Sequence, residues 1–197
     1  MTHRFALTSL AVLVVLTGCG QSPSKPPADP PAAPSQPAAP KVSYPAVEPP
    51  APGTPGGLPD DRRPISEAPF SPKSAQGAAN VVQTYFALIG EKKYADAWAL
   101  WADGGKASGM SAAAFADSFA AYDSYAAQIG APGDIEGAAG SLFVEVPVVI
   151  YGRLKTGAPV HLDGPFRLRR VNDVPGSSEN ERLWHIAASG VRASPRA

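Results

Sequence analysis

Apolar residues recur at helical spacing in three stretches of the second half of the chain. The first two stretches carry these apolar positions: Val82, Tyr85, Phe86 and Ile89, then Tyr94, Ala97, Trp98 and Trp101. The third follows Ser111, a favourable N-cap, and carries the stripe Phe115, Phe119, Tyr122, Ala126 and Ile129. Glycine and proline residues end each stretch. The spacing therefore predicts three helices, each with one apolar face that needs a partner surface.

Farther along the chain the period changes from helical to alternating. Apolar side chains share one face of the segment 142–153: Leu142, Val144, Val146, Val148 and Ile150. This alternation predicts a strand with one buried face. Further strands are predicted over 160–171, with a bend or bulge at Gly164–Pro165, and over 181–189. Helices followed by antiparallel strands predict an α+β fold in which three N-terminal helices pack on a curved sheet.

The loop between the first two strands decides which residues face each other. A two-residue turn at Thr156–Gly157 would place Val146 opposite Arg167, which wastes the apolar face. A three-residue loop over 156–158 gives better pairs: Val148 with Phe166, Val146 with Leu168, and Glu145 with Arg169. We therefore expect the second register.

The N-terminus has the three parts of a secretory signal peptide over residues 1–18. A short basic start precedes the apolar run 5–16, which is too short to span a bilayer, and small residues follow. The next four-residue motif, Leu16-Thr17-Gly18-Cys19, resembles the bacterial lipobox. That resemblance implies cleavage before Cys19, acylation of this cysteine with palmitate-type chains, and stable membrane anchoring. Gly20, and not an aspartate, follows the cysteine, and resemblance to enterobacterial sorting rules therefore favours the outer over the inner membrane. An ordinary secreted protein with a spare cysteine is the alternative.

Proline divides the rest of the chain into a tether and a domain. Of the 23 prolines, 17 lie between residues 20 and 74, with almost no apolar periodicity. Such a segment predicts a disordered spacer with polyproline II character that reaches on the order of 100 Å. We therefore assign 19–74 to a lipidated tether, 75–192 to one folded domain, and 193–197 to a disordered tail.

Charge and cysteine content exclude several classes of function. The chain has 17 basic and 17 acidic side chains, so it lacks the basic excess of a nucleic-acid binder. A single cysteine forms no internal disulfide and no cysteine-based zinc site. Nucleotide-binding glycine patterns, nucleophile elbows and paired metal ligands are missing from the sequence as well, so we assign no catalytic residue, metal or cofactor.

The junction of the first two predicted helices carries a Gly-x-Lys-x-Tyr-x-x-Ala-Trp step over residues 90–98. With its aromatic helix, this step resembles the opening of the nuclear-transport-factor-2-like superfamily, and the resemblance covers residues 77–192. It implies a cone-shaped, cystatin-like fold whose apolar mouth can hold a ligand. Ketosteroid-isomerase-like and dehydratase enzymes share that fold with non-catalytic binding modules, so the fold alone does not decide the function.

We expect large side chains from the helices and the sheet to line such a pocket: Tyr85, Trp98, Trp101, Tyr122, Val146, Val148 and Trp184. Simple core packing is the alternative for the aromatic residues. The inward sheet face carries no acid and no histidine, so the acid or base of the isomerase-type members has no matching position.

Polar residues outside that face suggest weaker candidates. The predicted hairpin brings together a possible constellation: Tyr151, Arg153, His161 and Asp163. An ordinary solvated hairpin tip is the favoured interpretation. His185 is expected at the surface or an interface, and the outer sheet face is expected to carry Arg167 and Arg169 with Glu145 available to pair.

Three functions remain open from the sequence. The leading one is a non-enzymatic lipoprotein on the periplasmic side of the cell envelope that binds a small apolar ligand or an envelope protein. A second is an isomerase- or dehydratase-type enzyme, with Asp123 and Tyr122 as the nearest acid/base candidates. A third is a structural module that forms homodimers through the outer sheet face.

Overall fold

A computed structural model describes residues 44–60 and 70–194. The signal peptide, Cys19, the first part of the tether and the last three residues lie outside the described residues. Three helices come first: α1 (Ala75–Gly90), α2 (Tyr94–Ala99) and α3 (Ala112–Ser118). Six strands follow: β1 (Tyr122–Ile129), β2 (Glu136–Ala138), β3 (Ser141–Leu154), β4 (Pro159–Val171), β5 (His185–Ser189) and β6 (Arg192–Ala193). The predicted α+β class is confirmed. No helix in the described ranges has the length and apolar character needed to cross a membrane.

The six strands form one antiparallel sheet in the order β1-β3-β4-β5, with β2 on β3 and β6 on β4. The outer edge of β5 is covered by the chain that follows α2. There the Ala102 amide donates to the Ile186 carbonyl at 2.8 Å, and the Ile186 amide donates to the Leu100 carbonyl at 3.0 Å. These bonds satisfy backbone groups that an open sheet edge would expose.

Helix α1 packs on one face of the sheet, which we call the inner face. The Ser74 hydroxyl caps its N-terminus by accepting the Gly77 amide at 3.1 Å. The buried core between them contains Ala78, Val82, Tyr85, Ile89, Val144, Val146, Val148, Ile150, Phe166, Leu168 and Ile186. The alternation in 142–153 therefore marked the inner face correctly.

The predicted third helix is wrong in its second half. Helix α3 ends at Ser118, and the residues from Tyr122 form β1 instead. In that strand Tyr125, Ala127 and Ile129 face the core, two residues apart. The same segment thus satisfied both a helical and an alternating pattern, because its alanines suit either. Pairing of β1 with β3 decided in favour of the strand.

The register between β3 and β4 differs from the prediction by two residues. The loop is 155–157 and not 156–158, closed by the Leu154 amide on the Ala158 carbonyl at 2.9 Å. Moving a three-residue loop by one position shifts every pair by two, which keeps each side chain on its predicted face. The observed pairs are Val144 with Leu168, Val146 with Phe166, Val148 with Gly164, and Glu145 with Arg167.

At the predicted bend, Gly164–Pro165, the edge of β4 that faces away from β3 changes its partner strand. Before this point β4 pairs with β6, and after it with β5, while the Gly190 amide donates to the Pro165 carbonyl at 2.8 Å. A β-carbon on Gly164 would collide with the Gly190 carbonyl, and its φ of 150° suits glycine. The ladder to β3 passes through without a shift, and the bulge lies between Arg167 and Leu168 instead.

The C-terminal part departs from the prediction at two boundaries. The predicted strand 181–189 begins at His185, because a short 3₁₀ turn occupies Asn180–Arg182. Residues 193 and 194, which were predicted to belong to a disordered tail, are part of the fold, because Arg192–Ala193 form β6 and the Ser194 hydroxyl donates to the Asp163 carboxylate. The folded part therefore extends to Ser194.

Residues 44–60, which we call the strap, contact the domain although the sequence predicted no packing there. Arg153 lies over the Tyr44 ring at 5.0 Å and donates to the Pro45 carbonyl at 2.8 Å. Farther along the strap, Leu58 shares a cleft with Pro147. Arg153 and Pro147 both lie on the outer face of β3, where Val149 is 1% exposed without belonging to the inner core. The strap therefore covers part of the outer sheet face.

Candidate functional site

A cavity of about 490 Å³ opens between α1, α3 and the inner face of the sheet. We call it the aromatic cavity, because aromatic rings form most of its wall. Seven rings line it: Tyr85, Trp101, Phe115, Phe119, Tyr122, Tyr125 and Phe166. Smaller side chains complete the wall, including Ala107, Ser108, Ser118, Ala187 and Ser189. A concave, ring-lined space with few polar groups is the usual form of a small-ligand site.

The rings hold one another in edge-to-face and tilted contacts. Tyr85 lies 5.6 Å from Phe166 and 6.2 Å from Trp101, measured between ring centroids. On the other side, Tyr125 lies 4.9 Å from Tyr122 and 5.3 Å from Phe119. Each such pair contributes about 0.5–1.5 kcal/mol in addition to the burial of its apolar surface. These contacts between the rings hold the wall of the cavity in place without a ligand.

Burial keeps the tyrosine hydroxyls of the cavity in their neutral form, in which they can donate hydrogen bonds. It raises the pKa of both the Tyr85 and the Tyr125 phenol well above the usual range, so both stay protonated. The Trp101 indole Nε1 is buried, makes no hydrogen bond of standard geometry among the described residues, and lies close enough to the Tyr85 phenol to oppose part of the rise in its pKa. Neither a carboxylate nor an imidazole is among the residues that line this cavity. The cavity can therefore bind by shape and hydrogen bonding, but it offers no evident proton shuttle.

Three of the seven predicted pocket residues line the aromatic cavity: Tyr85, Trp101 and Tyr122. Trp98 does not. Its indole donates to the Ser108 hydroxyl at 3.1 Å and to the Met110 carbonyl at 3.0 Å. Its ring lies directly against Gly105, so Trp98 anchors the loop between α2 and α3.

The other three predicted pocket residues are core. Val146 and Val148 are at most 1% exposed and lie beneath the helices. Trp184 donates its indole N–H to the Ser74 carbonyl at 3.0 Å, and Arg170 lies over its ring at 5.5 Å. Trp184 therefore ties β5 to the start of α1 and does not line the cavity.

Sequence reasoning missed Tyr125 as a cavity residue because this residue lay off the apolar stripe of the predicted third helix, and it assigned Phe115 and Phe119 to that stripe without placing them in the pocket. The spacing of Tyr125, Ala127 and Ile129 was the signal that could have assigned Tyr125 to the inner face of a strand. Phe166 was assigned to the inward face, but the shifted register brings it opposite Val146 and into the cavity wall.

Two further cavities adjoin the aromatic cavity at Tyr122, which lines all three. The first, about 420 Å³, we call the lysine cavity, since Lys92 and Lys155 line it together with Asp123. The second, about 670 Å³, runs along the end of the β3–β4 hairpin, and we call it the hairpin groove. Its lining is largely apolar: Leu154, Ala158, Pro159, Val160, Leu162 and Ala193, with His161 and Ser194 beside them.

The acid/base candidates from the sequence are placed as follows. Asp123 and Tyr122 both line the lysine cavity, and Asp123 is exposed. His161 lines the hairpin groove, and its Nδ1 is buried without a hydrogen-bond partner in the described part of the chain. A carboxylate and an imidazole therefore occur around the aromatic cavity but in separate spaces.

The possible hairpin constellation is not assembled. Tyr151 pairs with His161 across the hairpin, as neighbouring strands require. Asp163 instead accepts the Ser194 hydroxyl, and Arg153 holds the strap. The interpretation of these residues as an ordinary hairpin end fits their contacts better than a four-residue site.

On the outer face the basic residues are engaged within the sheet. Arg167 lies opposite Glu145 and over the Phe143 ring at 4.6 Å. Arg169 donates to the Ser141 hydroxyl at 3.0 Å. His185 Nε2 lies 2.9 Å from the Asn180 carbonyl. These contacts describe a structural face rather than an anion site.

Over residues 44–60 and 70–194, no group of three His, Cys, Asp or Glu side chains is placed to hold a metal ion. No known family model matches the chain, and comparisons with curated proteins and with solved structures give no match either.

Proposed function

We propose that this chain is a lipid-anchored protein of the bacterial cell envelope whose domain binds a small apolar ligand without catalysis. The observation that carries the binding part is the aromatic cavity, whose seven rings surround about 490 Å³ of space with no acid or imidazole in its wall. Its phenols and the buried Trp101 indole N–H supply a few donors that can orient a ligand.

The lipobox Leu16-Thr17-Gly18-Cys19 and the proline-rich segment behind it support the envelope location. Acyl chains on Cys19 hold the domain at the periplasmic side of a membrane, with the outer membrane favoured by Gly20. Cys19→Ser removes the acylated residue. We expect the variant to lose labelled palmitate and to leave the membrane fraction, and a variant that keeps both would overturn the anchor.

The order of elements supports a nuclear-transport-factor-2-like cone for the domain. Three helices precede the sheet, α1 packs across its inner face, and the cavity opens on that same face. The resembling step over residues 90–98 covers the end of α1, the turn that follows it and most of α2.

Ligand binding is tested with N-phenylnaphthylamine, a neutral probe whose emission rises in apolar sites. Trp101 lines the cavity, so its fluorescence should fall by energy transfer as the probe binds. Ala187→Phe places a ring in the cavity and should abolish the signal with the fold intact. Ala126→Phe is the matched control, because Ala126 lies on the outer side of β1 and should bind as the parent does. Equal binding by the two variants would contradict the proposed site.

An isomerase- or dehydratase-type enzyme is the second candidate, because Asp123 and Tyr122 line one cavity. Turnover of a candidate substrate that is lost in Asp123→Asn would support it. Homodimers through the outer face are less well supported, since the strap already covers part of that face.

A further inference from the structure

The charges of the lysine cavity come from two separate turns of the chain. Lys92 lies in the turn between α1 and α2, and Lys155 lies in the loop between β3 and β4. No salt bridge involves either ammonium group among the described residues, whereas neighbouring Lys93 is paired with Glu91 at 2.7 Å. Asp123 is the one carboxylate in this wall, so the cavity keeps an excess of one positive charge.

Apolar space adjoins this charge on two sides. Tyr122 is shared by the lysine cavity, the aromatic cavity and the hairpin groove. Phe119 and Tyr125 are shared by the first two. The hairpin groove adds Leu154, Val160 and Leu162 beyond the seven rings. A ligand that crosses Tyr122 can therefore bury an apolar body while its polar end remains between the two lysines.

We infer that the ligand is a single-chain amphiphile with an anionic head group, such as a long-chain carboxylate. Its head would lie between Lys92 and Lys155, and its chain would pass Tyr122 into the aromatic cavity and the hairpin groove. A neutral apolar molecule leaves the excess positive charge of the cavity unbalanced, and a cationic amphiphile meets two like charges against one carboxylate. This inference rests on the proposed function, because it uses the same aromatic cavity.

The test compares three amphiphiles with one twelve-carbon chain: dodecanoate, dodecanol and dodecyltrimethylammonium. Binding to the chain from residue 20 onward is measured by calorimetry below the solubility limit of dodecanol and the critical micelle concentrations of the two ionic amphiphiles. Contacts with two exposed ammonium groups favour dodecanoate over dodecanol by about tenfold at low salt. Added salt should weaken the binding of dodecanoate and leave that of dodecanol unchanged.

Charge reversal locates the head group. Lys92→Glu and Lys155→Glu should each weaken dodecanoate binding by about fivefold without weakening dodecanol. Lys93→Glu is the matched control, because it makes the same change one residue away at a lysine already paired with Glu91. It should leave dodecanoate binding within about twofold of the parent.

The outcomes separate this inference from the proposed function. Equal binding of dodecanoate and dodecanol, a preference for the cationic amphiphile, or an equal effect of the Lys92 and Lys93 variants would overturn the anionic amphiphile. The same holds if none of the three binds while N-phenylnaphthylamine still does. Loss of binding for the amphiphiles and N-phenylnaphthylamine together would overturn the proposed function as well.

Discussion

The contact between Arg153 and the strap gives a prediction that can be worked from distances. Arg153→Met removes a guanidinium that lies 5.0 Å from the Tyr44 ring centroid and 2.8 Å from the Pro45 carbonyl. The same side chain donates to the Gly157 carbonyl at 2.6 Å, a bond inside the hairpin that does not involve the strap. Only the first two interactions should depend on residues 44–60.

Their magnitude follows from exposure. Tyr44 is 49% exposed, so the cation–π contact is worth about 0.5–1 kcal/mol. The charge-assisted bond to the Pro45 carbonyl adds about 1 kcal/mol at an exposed site. The coupling between Arg153 and the strap is therefore about 1.5–2 kcal/mol. The entropy of ordering the strap does not enter this figure, because it cancels in a double-mutant cycle.

Urea denaturation of four chains measures the coupling: the parent, Arg153→Met, a deletion of 44–60, and the combination. We expect Arg153→Met to cost about 1.5–2 kcal/mol more when the strap is present. Arg167→Met is the control, since its cation–π contact is with Phe143 inside the sheet and its cost should not depend on the strap. A deletion of 24–40, equal in length, should leave the cost of Arg153→Met unchanged. Equal costs with and without residues 44–60 would refute packing of the strap on the outer face.

Three further substitutions test local features of the fold. Gly105→Ala should destabilise the domain by about 2–4 kcal/mol in urea, because Gly105 has a φ of 90° and its β-carbon would meet the Trp98 ring; a neutral substitution would contradict that contact. Ala139→Asn should stabilise it by about 1 kcal/mol, because Ala139 has a φ of 42° in the β2–β3 turn, where asparagine is favoured; a loss of stability would refute the turn geometry. The hydrogen bond from Lys73 holds the pKa of Asp173 below its usual range, so this carboxylate stabilises the fold above the ordinary aspartate pKa and ceases to do so as pH falls through the lowered value. Asp173→Asn should flatten the acid side of the stability profile measured by urea midpoints, and an unchanged profile would show that the contact contributes nothing.

Sequence patterns predicted the fold correctly where a segment fitted only one type of secondary structure. The strand over 142–153 alternates without interruption, and its apolar face became the inner core. Each side chain was assigned to the correct face of the sheet although the loop position was wrong, because a register shift of two residues preserves the alternation. Patterns of this kind report burial, and burial follows the face rather than the exact partner.

The same reasoning failed where two periods fit one segment. Between Tyr122 and Ile129 the alanines are compatible with helix and strand alike, so only the available pairing edge of β3 distinguishes them. The availability of that edge depends on the folded sheet, and nothing in the sequence of 122–129 indicates it. The error mattered for the site, because it removed Tyr125 from the list of cavity residues.

The strap shows a different limit. Proline-rich composition predicts a segment that does not pack, because it offers little apolar surface to bury. That inference is sound for an isolated segment. Tyr44 and Leu58 are too far apart to form a periodic pattern. Their partners, Arg153 and Pro147, lie about a hundred residues away and could be identified only once the sheet had placed them on one face.

The strap also meets the domain beside the candidate site. Tyr44 packs against Gly157, which follows Lys155 in the hairpin loop by two residues, so residue 44 lies at the end of the domain that carries the lysine cavity and the hairpin groove. The anchor proposed at Cys19 would be joined to this end by residues 20–43 alone, which reach about 75 Å when extended as polyproline II. A strap that stays bound on the outer face therefore shortens the proposed tether relative to one that runs freely from residue 19 to residue 74.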